Sequence, residues 1–166
     1  MALHPAFVRM FFPVSLTILP TMKSTRYPGS SPVHVVISSD TAEAHRVQDQ
    51  IEQSLQAAAC HDCDLFSIKL ALEEALVNAI KHGNQYDPAK RVHIAYRLLP
   101  NLFEVRITDE GAGFDPADVP DPTAFENLKL PSGRGLMLMR HYMSEVTFND
   151  RGNAVTMCKR LRNGKK

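Results

Sequence analysis

Three polar residues spaced four apart, Glu74, Asn78 and His82, are the first candidates for chemistry in this sequence. They lie in the stretch from Leu65 to Gly83, which we predict to be a helix because its apolar residues recur at three- and four-residue steps. Side chains four residues apart lie above one another on a helix, so a carboxylate, an amide and an imidazole would share one ridge. Such a ridge can also be ordinary solvated surface, and the segments downstream must decide between the two interpretations.

A second candidate is the hexapeptide D-E-G-A-G-F, from Asp109 to Phe114, at the end of a predicted strand. A carboxylate followed by two glycines, Gly111 and Gly113, places a directional hydrogen-bond acceptor beside backbone that can approach a flat or phosphorylated ligand closely. An ordinary Asp-rich turn that leaves a hairpin is the alternative, and the hexapeptide alone does not separate the two.

A third candidate is the G-x-G pattern of Gly133 and Gly135, which precedes a helix predicted from about Leu136 to Met143. Glycines before a helix expose its first amide groups, and those groups favour a bound anion such as a phosphate. On its own the pattern is common. The proline-rich segment before it, Asp115 to Pro131, is predicted to be a lid or a binding loop.

The elements that would position these residues follow from the apolar patterns. Alternating or β-branched runs predict strands, two of which form a hairpin with one buried face, and three- to four-residue periodicity predicts helices. The predicted strands are Val33 to Ile37, Val92 to Leu99, Phe103 to Thr108, Met143 to Asn149 and Ala154 to Cys158. The predicted helices are about Ala42 to Ala59, capped by Asp40 or Thr41, then Leu65 to Gly83, capped by Asp62 or Asp64, and about Leu136 to Met143.

Composition limits the classes of function. The 166 residues fit one domain, and a formal net charge of +1 gives no overall field that would draw the chain to nucleic acid or to an anionic membrane. Three cysteines cannot all pair within one chain, which favours a reducing, cytoplasmic compartment. Cys60 and Cys63 have the spacing of half a zinc site or of a redox pair, but neither context is complete, so we interpret them as part of an interhelix turn.

The first 31 residues differ from the rest. An apolar run from Met10 to Leu19 is broken by Pro13 and is too short to span a bilayer as a helix. We expect residues 1–31 to be a disordered or partner-docking extension, or sequence upstream of a true start at Met22; a poor secretory signal is the third alternative. Residues 32–162 form the predicted domain, and residues 163–166 form a basic tail.

The three candidate stretches occur in a specific order: E-x-x-x-N on a helix, D-x-G-x-G after a strand, a proline-rich lid, and G-x-G opening a helix. In this order they resemble the ATP-binding superfamily of DNA gyrase, the heat-shock chaperone, histidine kinases and mismatch-repair ATPases. The form E-A-x-x-N-A-x-x-H-G, from Glu74 to Gly83, is most similar to the small anti-sigma-factor serine/threonine kinases. The resemblance implies an α/β fold of the Bergerat type, a two-layer sandwich in which helices cover one face of a mixed, mostly antiparallel sheet.

The resemblance also implies roles for individual residues. Glu74 would orient the attacking hydroxyl or accept its proton, and Asn78 would offer its amide oxygen to Mg²⁺. Asp109 would accept a hydrogen bond from the exocyclic amine of adenine, which is the specific polar contact in an otherwise apolar pocket. Gly111 and Gly113 would let the backbone pass the base and the ribose.

Other candidates would contact phosphates or a partner. The phosphate-binding group implied by the resemblance consists of Gly133, Arg134, Gly135 and Leu136. His82 could face the phosphates or solvent, or act as a structural cap. Arg46, on the first predicted helix, is a candidate contact for the protein substrate.

The function implied is that of an ATP- and Mg²⁺-dependent protein serine/threonine kinase that acts as an anti-sigma factor. Its substrate would be a STAS-type anti-sigma-factor antagonist and its sequestered partner a sigma factor, in a cytoplasmic homodimer with no direct contact to nucleic acid or membrane. A non-catalytic, nucleotide-gated binding module is the competing hypothesis, and a simple ATPase is the third. The presence of both Glu74 and Asn78 favours the kinase.

Overall fold

A computed structural model of the chain describes residues 31–113 and 134–162. Predictions about residues 1–30, the proline-rich lid, Gly133 and the basic tail lie outside the described residues. The strands are β1 Val33–Ser38, β2 Arg91–Leu99, β3 Leu102–Asp109, β4 Glu145–Phe148 and β5 Ala154–Arg160. The helices are α1 Thr41–Ala57, α2 Asp62–Val77 and α3 Arg134–Tyr142, and a π-helical turn, Asn78–Gly83, continues α2 directly.

The five strands form one sheet in the order β1-β2-β3-β5-β4. Each of the four pairings between described strands is antiparallel, so this part of the chain lacks the parallel pair that a mixed sheet would contain. The central strands β2 and β3 are the predicted hairpin, in which Ile94 lies opposite Ile107 and Tyr96 opposite Val105. This register brings the alternating apolar residues of both strands onto one face of the sheet.

The helices cover that apolar face. Ile51 and Leu55 of α1, together with Ile68 and Leu72 of α2, belong to the same buried cluster as the inward residues of the strands. Burying each such aliphatic side chain contributes about 1.5–3 kcal/mol, so the core between the two layers is the main source of stability. The two-layer α/β sandwich predicted above is therefore the observed architecture, and within the described ranges no helix is long and apolar enough to cross a bilayer.

The caps of the first two helices differ in how well they were predicted. Asp40 caps α1 as expected, since its carboxylate accepts a hydrogen bond from the Ala42 amide at 2.7 Å. The prediction that Asp62 or Asp64 caps α2 is wrong. His61 occupies the N-cap position of α2, and its ring Nδ1 accepts from the Cys63 amide at 3.2 Å.

Asp64 instead binds residues at the end of β5. It is 1% exposed and accepts a hydrogen bond at 2.7 Å from the amide of Arg162, just beyond β5. The side chains of Lys159 and Arg162 also lie within 4.0 Å of its carboxylate. A buried carboxylate needs such partners, so Asp64 is occupied with anchoring the end of β5 and is not available as a cap.

Two further element boundaries differ from the prediction. The helix α3 begins at Arg134, two residues earlier than expected, so Gly135 belongs to its first turn. The strand β4 begins at Glu145, not at Met143, because Met143 is 6% exposed and packs in the core at the end of α3.

Asn84 ties the ends of three strands together. Its side chain is fully buried, and its Nδ2 donates to Ser39 Oγ at 2.8 Å, just after β1, and to the carbonyl of Arg91 at 3.0 Å, at the start of β2. Its Oδ1 accepts from the amide of Glu110 at 2.9 Å, just after β3. Its own amide donates to the carbonyl of Ala79 at 2.8 Å, in the π-helical turn.

We expect Asn84→Ala to lower the free energy of unfolding by about 2–4 kcal/mol, because it removes three hydrogen bonds and leaves buried partners unpaired. Urea unfolding followed by circular dichroism measures the change. Asn101→Ala, in the exposed β2–β3 turn, is the matched control and should change stability by less than about 0.5 kcal/mol. Equal effects of the two substitutions would contradict a special role for Asn84.

Candidate nucleotide-binding site

Glu74 and Asn78 converge on the first turn of α3. A Cβ atom placed on Gly135 would lie 2.5 Å from Oε2 of Glu74 and 3.4 Å from Nδ2 of Asn78. The absence of a side chain at Gly135 therefore lets both polar groups reach the amino end of α3. The first amides of a helix have no partner within the helix, so this point combines a carboxylate, a side-chain amide and backbone donors suited to an anion.

The π-helical turn changes the predicted polar ridge. Amide groups in this turn bond five or more residues back, as in the pair from Asn84 to Ala79, so each residue turns the chain by less than in an α-helix. His82, near the end of this turn, is exposed and takes part in no hydrogen bond between described residues. Glu74 and Asn78 therefore meet at Gly135, whereas His82 is exposed to solvent.

Asp109 lies against the end of the same π-helical turn. A Cβ atom on Gly83 would be 2.3 Å from Cγ of Asp109 and within 2.6 Å of both carboxylate oxygens. A Cβ atom on Gly111 would be 2.2 Å from the carbonyl oxygen of Gly83. The two glycines thus allow the loop after β3 to pack directly on the turn, with the carboxylate between them.

The carboxylate of Asp109 is oriented before any ligand arrives. Its Oδ1 accepts a hydrogen bond from the Gly111 amide at 2.8 Å. Burial raises the pKa of Asp109 above its ordinary value, and this hydrogen bond opposes the shift. A carboxylate held in a desolvated position is a strong acceptor for a ligand N–H group.

Glu110 fixes the same loop on its other side. Its amide donates to Asn84, and its Oε2 accepts from the amide of Arg91 at 2.9 Å, which lowers the pKa of the Glu110 carboxyl. Its Oε1 lies 3.2 Å from Nε2 of His93 on β2. These contacts hold Glu110 away from the pocket side of the loop, so Asp109 is the carboxylate that faces Gly83.

The β4–β5 turn packs against the end of β3 and the loop that follows it. Asn153 exchanges two hydrogen bonds with the backbone of Asp109, because its carbonyl accepts from the Asp109 amide and its side chain donates to the Asp109 carbonyl, each at 2.9 Å. Gly113 has φ of +83°, and a Cβ atom there would be 1.8 Å from the carbonyl oxygen of Arg151. The turn and the loop therefore pack backbone against backbone.

The two groups of residues lie at different heights along one helical segment, which runs through α2 and the π-helical turn. Gly83 is at its carboxyl end, and Glu74 is nine positions earlier, about two helical turns away. An elongated ligand could contact the carboxylate of Asp109 at one end and the first turn of α3 at the other. A base joined to a chain of phosphates has that form, and the donors and acceptors at each end suit it.

The remaining candidates are less informative. Arg46 is exposed on α1. Hydrogen bonds from Ser38 lower the pKa of Glu43 on the same helix, and the charge of Arg46 adds a smaller effect in the same direction. Leu136 is partly buried against the core, and Arg134 is the first residue of α3. Gly133 lies outside the described residues.

Sequence reasoning missed three residues that shape the site, namely Asn84, Arg151 and Asn153. It placed Gly83 in the helix motif without recognising its contact with Asp109. The sequence contained one usable signal, since Asn84 directly follows the motif that ends at Gly83. The contacts of Asn84 with Ser39 and of Asn153 with Asp109 join residues 45 and 44 positions apart, which no local pattern reveals.

Comparisons with known proteins agree with this geometry. A family model described as a histidine kinase-like ATPase domain matches residues 37–159. The anti-sigma F factor of Oceanobacillus iheyensis is 32% identical over 108 residues, which cover 61% of this chain and 73% of that protein. The serine/threonine-protein kinase BtrW of Bordetella bronchiseptica is 31% identical over 88 residues, and the chain spans only 62% of its length.

A solved structure supports the fold. The RsbU and RsbW domains of a Mycobacterium tuberculosis protein superpose with a TM-score of 0.57 and 18% identity, covering 82% of this chain and 34% of that one. Together these matches confirm the resemblance that the three motifs predicted, and with it the α/β fold of the Bergerat type.

The raised pKa of Asp109 predicts that its charge destabilises the ligand-free protein at neutral pH. At a pH below the pKa that Asp109 has in the unfolded chain, Asp109 is protonated in both states and its burial does not lower the free energy of unfolding. As the pH rises, the unfolded state loses the proton first, and stability falls. The loss is complete above the pKa of Asp109 in the folded state. We therefore expect Asp109→Asn to raise the melting temperature of the ligand-free protein at pH 7.

Thermal unfolding between pH 4 and pH 8 tests this expectation. The difference between the variant and the wild type should shrink as the pH falls toward about 4, the usual pKa of an aspartate in an unfolded chain. The replacement amide oxygen can still accept from Gly111, so that hydrogen bond is retained. A variant that is less stable than the wild type at pH 7 would contradict the pKa shift.

Proposed function

Since the chain belongs to the histidine kinase-like ATPase family, we propose that it binds ATP with Mg²⁺ and transfers the γ-phosphate to a serine or threonine of a protein. The observation that carries the proposal is one of placement. Asp109 lies beside Gly83 at the carboxyl end of the helical segment, and Glu74 and Asn78, one to two turns earlier in that segment, lie beside Gly135. The first group suits a base with an exocyclic amine, and the second suits phosphates and a reacting hydroxyl.

Asp109 recognises adenine in this proposal. Its Oδ1 is engaged by the Gly111 amide, which leaves Oδ2 to accept a hydrogen bond from the exocyclic amine. Hydrogen bonds to a charged partner contribute about 1.5–3 kcal/mol, so this contact accounts for roughly 10- to 100-fold in affinity. Guanine carries a carbonyl at the corresponding position, which a carboxylate repels.

Asn78 is the residue that would hold Mg²⁺. The donor set fits this cation, because Mg²⁺ prefers oxygen ligands, keeps several waters and takes few ligands from protein. Asn78 carries a neutral amide oxygen on a side chain that lies near the carboxylate of Glu74 and the amino end of α3, where phosphate oxygens would complete the site. When bound, the cation neutralises charge on the phosphates of the nucleotide.

Glu74 would act on the acceptor hydroxyl. It lies one turn before Asn78, with its Oε2 directed at the first turn of α3. From there its carboxylate can accept the hydroxyl proton and hold the oxygen in line with the phosphorus it attacks. Phosphoryl transfer depends mainly on such positioning, since its transition state is loose.

The names of the relatives support the identity of the partners. One is called an anti-sigma F factor and another a serine/threonine-protein kinase. We extend these functions to this chain: it sequesters a sigma factor and phosphorylates a STAS-type antagonist, in the cytoplasm and as a homodimer. Arg46, exposed on α1, remains our candidate contact for the antagonist.

The first test compares Glu74→Gln with Glu73→Gln. The neighbouring Glu73 is exposed on the opposite side of α2 from the core, so its substitution makes the same charge change outside the site. Glu74→Gln should lower transfer of labelled γ-phosphate to a purified STAS-type protein at least 100-fold, because a positioned base contributes about 10²–10⁴. Binding of ATP should stay within a few-fold, as measured by calorimetry.

The outcomes separate the hypotheses. Transfer that persists in Glu74→Gln would remove Glu74 from the chemistry. Binding of ATP without transfer by the wild type to any STAS-type protein tested would favour the non-catalytic binding module. Absence of ATP binding by the wild type, in the presence of Mg²⁺, would refute the proposed site itself.

A second prediction concerns Gly135→Ala. Alanine favours a helix over glycine by about 1 kcal/mol, so the variant should be at least as stable as the wild type. Its methyl group would lie 2.5 Å from Oε2 of Glu74 and must displace that carboxylate. We expect phosphate transfer to fall at least tenfold while the melting temperature is unchanged or higher. Normal transfer by the folded variant would contradict the proposed placement of Glu74.

A further inference from the structure

Arg151, in the β4–β5 turn, has a side chain that reaches across to the loop after β3. Its Nη2 donates to the carbonyl of Gly111 at 3.1 Å, and its Nε lies 3.4 Å from the carbonyl of Ala112. Its own carbonyl packs on Gly113. Arg151 therefore touches each of the three residues that follow Glu110 in the described part of the loop.

The turn that carries Arg151 is itself held firmly. Asn149 accepts a hydrogen bond from the Gly152 amide at 2.9 Å through its carbonyl, and its Oδ1 accepts from the Ala154 amide at 3.0 Å. Its Nδ2 donates to Oδ1 of Asn153 at 2.8 Å. Asn153 in turn bonds the backbone of Asp109. These hydrogen bonds fix the backbone of the turn, so the guanidinium of Arg151 can hold the loop after β3 in one position.

The peptide groups of Gly111 connect Arg151 to the candidate base-binding carboxylate. The amide of Gly111 orients Oδ1 of Asp109, and the carbonyl of the same residue accepts from Arg151. Without the guanidinium, Gly111 and Ala112 lose the side-chain donor that holds their carbonyls, and glycine has the greatest conformational freedom to regain. The Asp109 carboxylate would then be free to rotate.

We propose that Arg151 is a positioning residue for nucleotide recognition: by holding the carbonyls of Gly111 and Ala112, it fixes the direction in which Asp109 presents its free oxygen. This inference rests on the proposed function, since it assumes that Asp109 accepts from adenine. It extends that function by assigning adenine selectivity partly to a residue that contacts the loop and not the base.

The test measures dissociation constants of ATP, ADP and GTP for Arg151→Ala in the full chain. Loss of two hydrogen bonds should weaken the binding of ATP about tenfold and the binding of ADP by the same factor, because the change acts where the base binds. GTP, which gains nothing from Asp109, should change little, so discrimination between ATP and GTP narrows. At saturating ATP, the rate of phosphate transfer should match that of the wild type.

Three further variants make the result specific. Arg160→Ala removes an exposed arginine from the far end of β5 and should leave all three constants unchanged. Arg151→Gln keeps one donor without the charge and should restore part of the affinity. Arg151→Lys keeps the charge but presents it as a single point, so it should restore affinity only in part.

The alternatives give different results. If Arg151 only attracts the phosphates by its charge, Arg151→Lys will bind nucleotides as the wild type does. In that case Arg151→Ala will lose more affinity for ATP than for ADP, and the loss will vanish at high salt. These results would overturn the inference. Unchanged ATP affinity in Arg151→Ala, with ATP affinity lowered roughly 10- to 100-fold by Asp109→Asn, also overturns it and leaves the proposed function intact. Failure of the wild type to bind ATP overturns both.

Discussion

The buried amide of Asn84 is the constraint on which the site depends. Its side chain has no exposed surface, and it uses both donor hydrogens and its acceptor oxygen on groups from the ends of β1, β2 and β3. Its backbone amide closes the π-helical turn. A single planar group thereby fixes the distance between the end of the sheet and the end of the central helix, and Asp109 and Gly83 meet in the space so defined. An apolar residue could fill the same volume, but it could not specify the register of three strands at once.

The site itself is built from close approaches of backbone to side chain. Gly83 lies against the carboxylate of Asp109, and Gly135 lies against that of Glu74, at distances that no Cβ atom would permit. At Asp109 the contact brings a negative charge into a partly desolvated position, which costs stability in the free protein, as the raised pKa of Asp109 indicates. A ligand that donates a hydrogen bond to this carboxylate would offset the cost.

Much of the frame could be predicted from the sequence, because strand alternation and helix periodicity are local and strong in this chain. The hairpin of β2 and β3 is an example, since Ile94 and Ile107 each fall in an obvious alternating run. The cap of α2 could not be predicted, because Asp64 is recruited to Arg162, 98 residues later, and His61 takes its place. The motif residues Glu74, Asn78 and Asp109 stood out by type and order, whereas Asn84 and Arg151 did not, because their significance lies in partners far along the chain.

The change from α-helix to π-helix within one segment explains how two unlike groups can share it. A π-helical turn holds more residues than an α-helical one, so it shifts every following side chain around the axis. In an uninterrupted α-helix each residue advances by about 100°, so Asn78 would lie about 40° and His82 about 80° around the axis from Glu74. The wider turn instead directs Gly83 toward Asp109 while Glu74 and Asn78 keep their direction toward α3. The extra width thus allows one helical segment to present polar side chains to α3 and bare backbone to Asp109. A sequence change that restored α-helical bonding here should therefore disturb the contact at Asp109 before it disturbs Glu74.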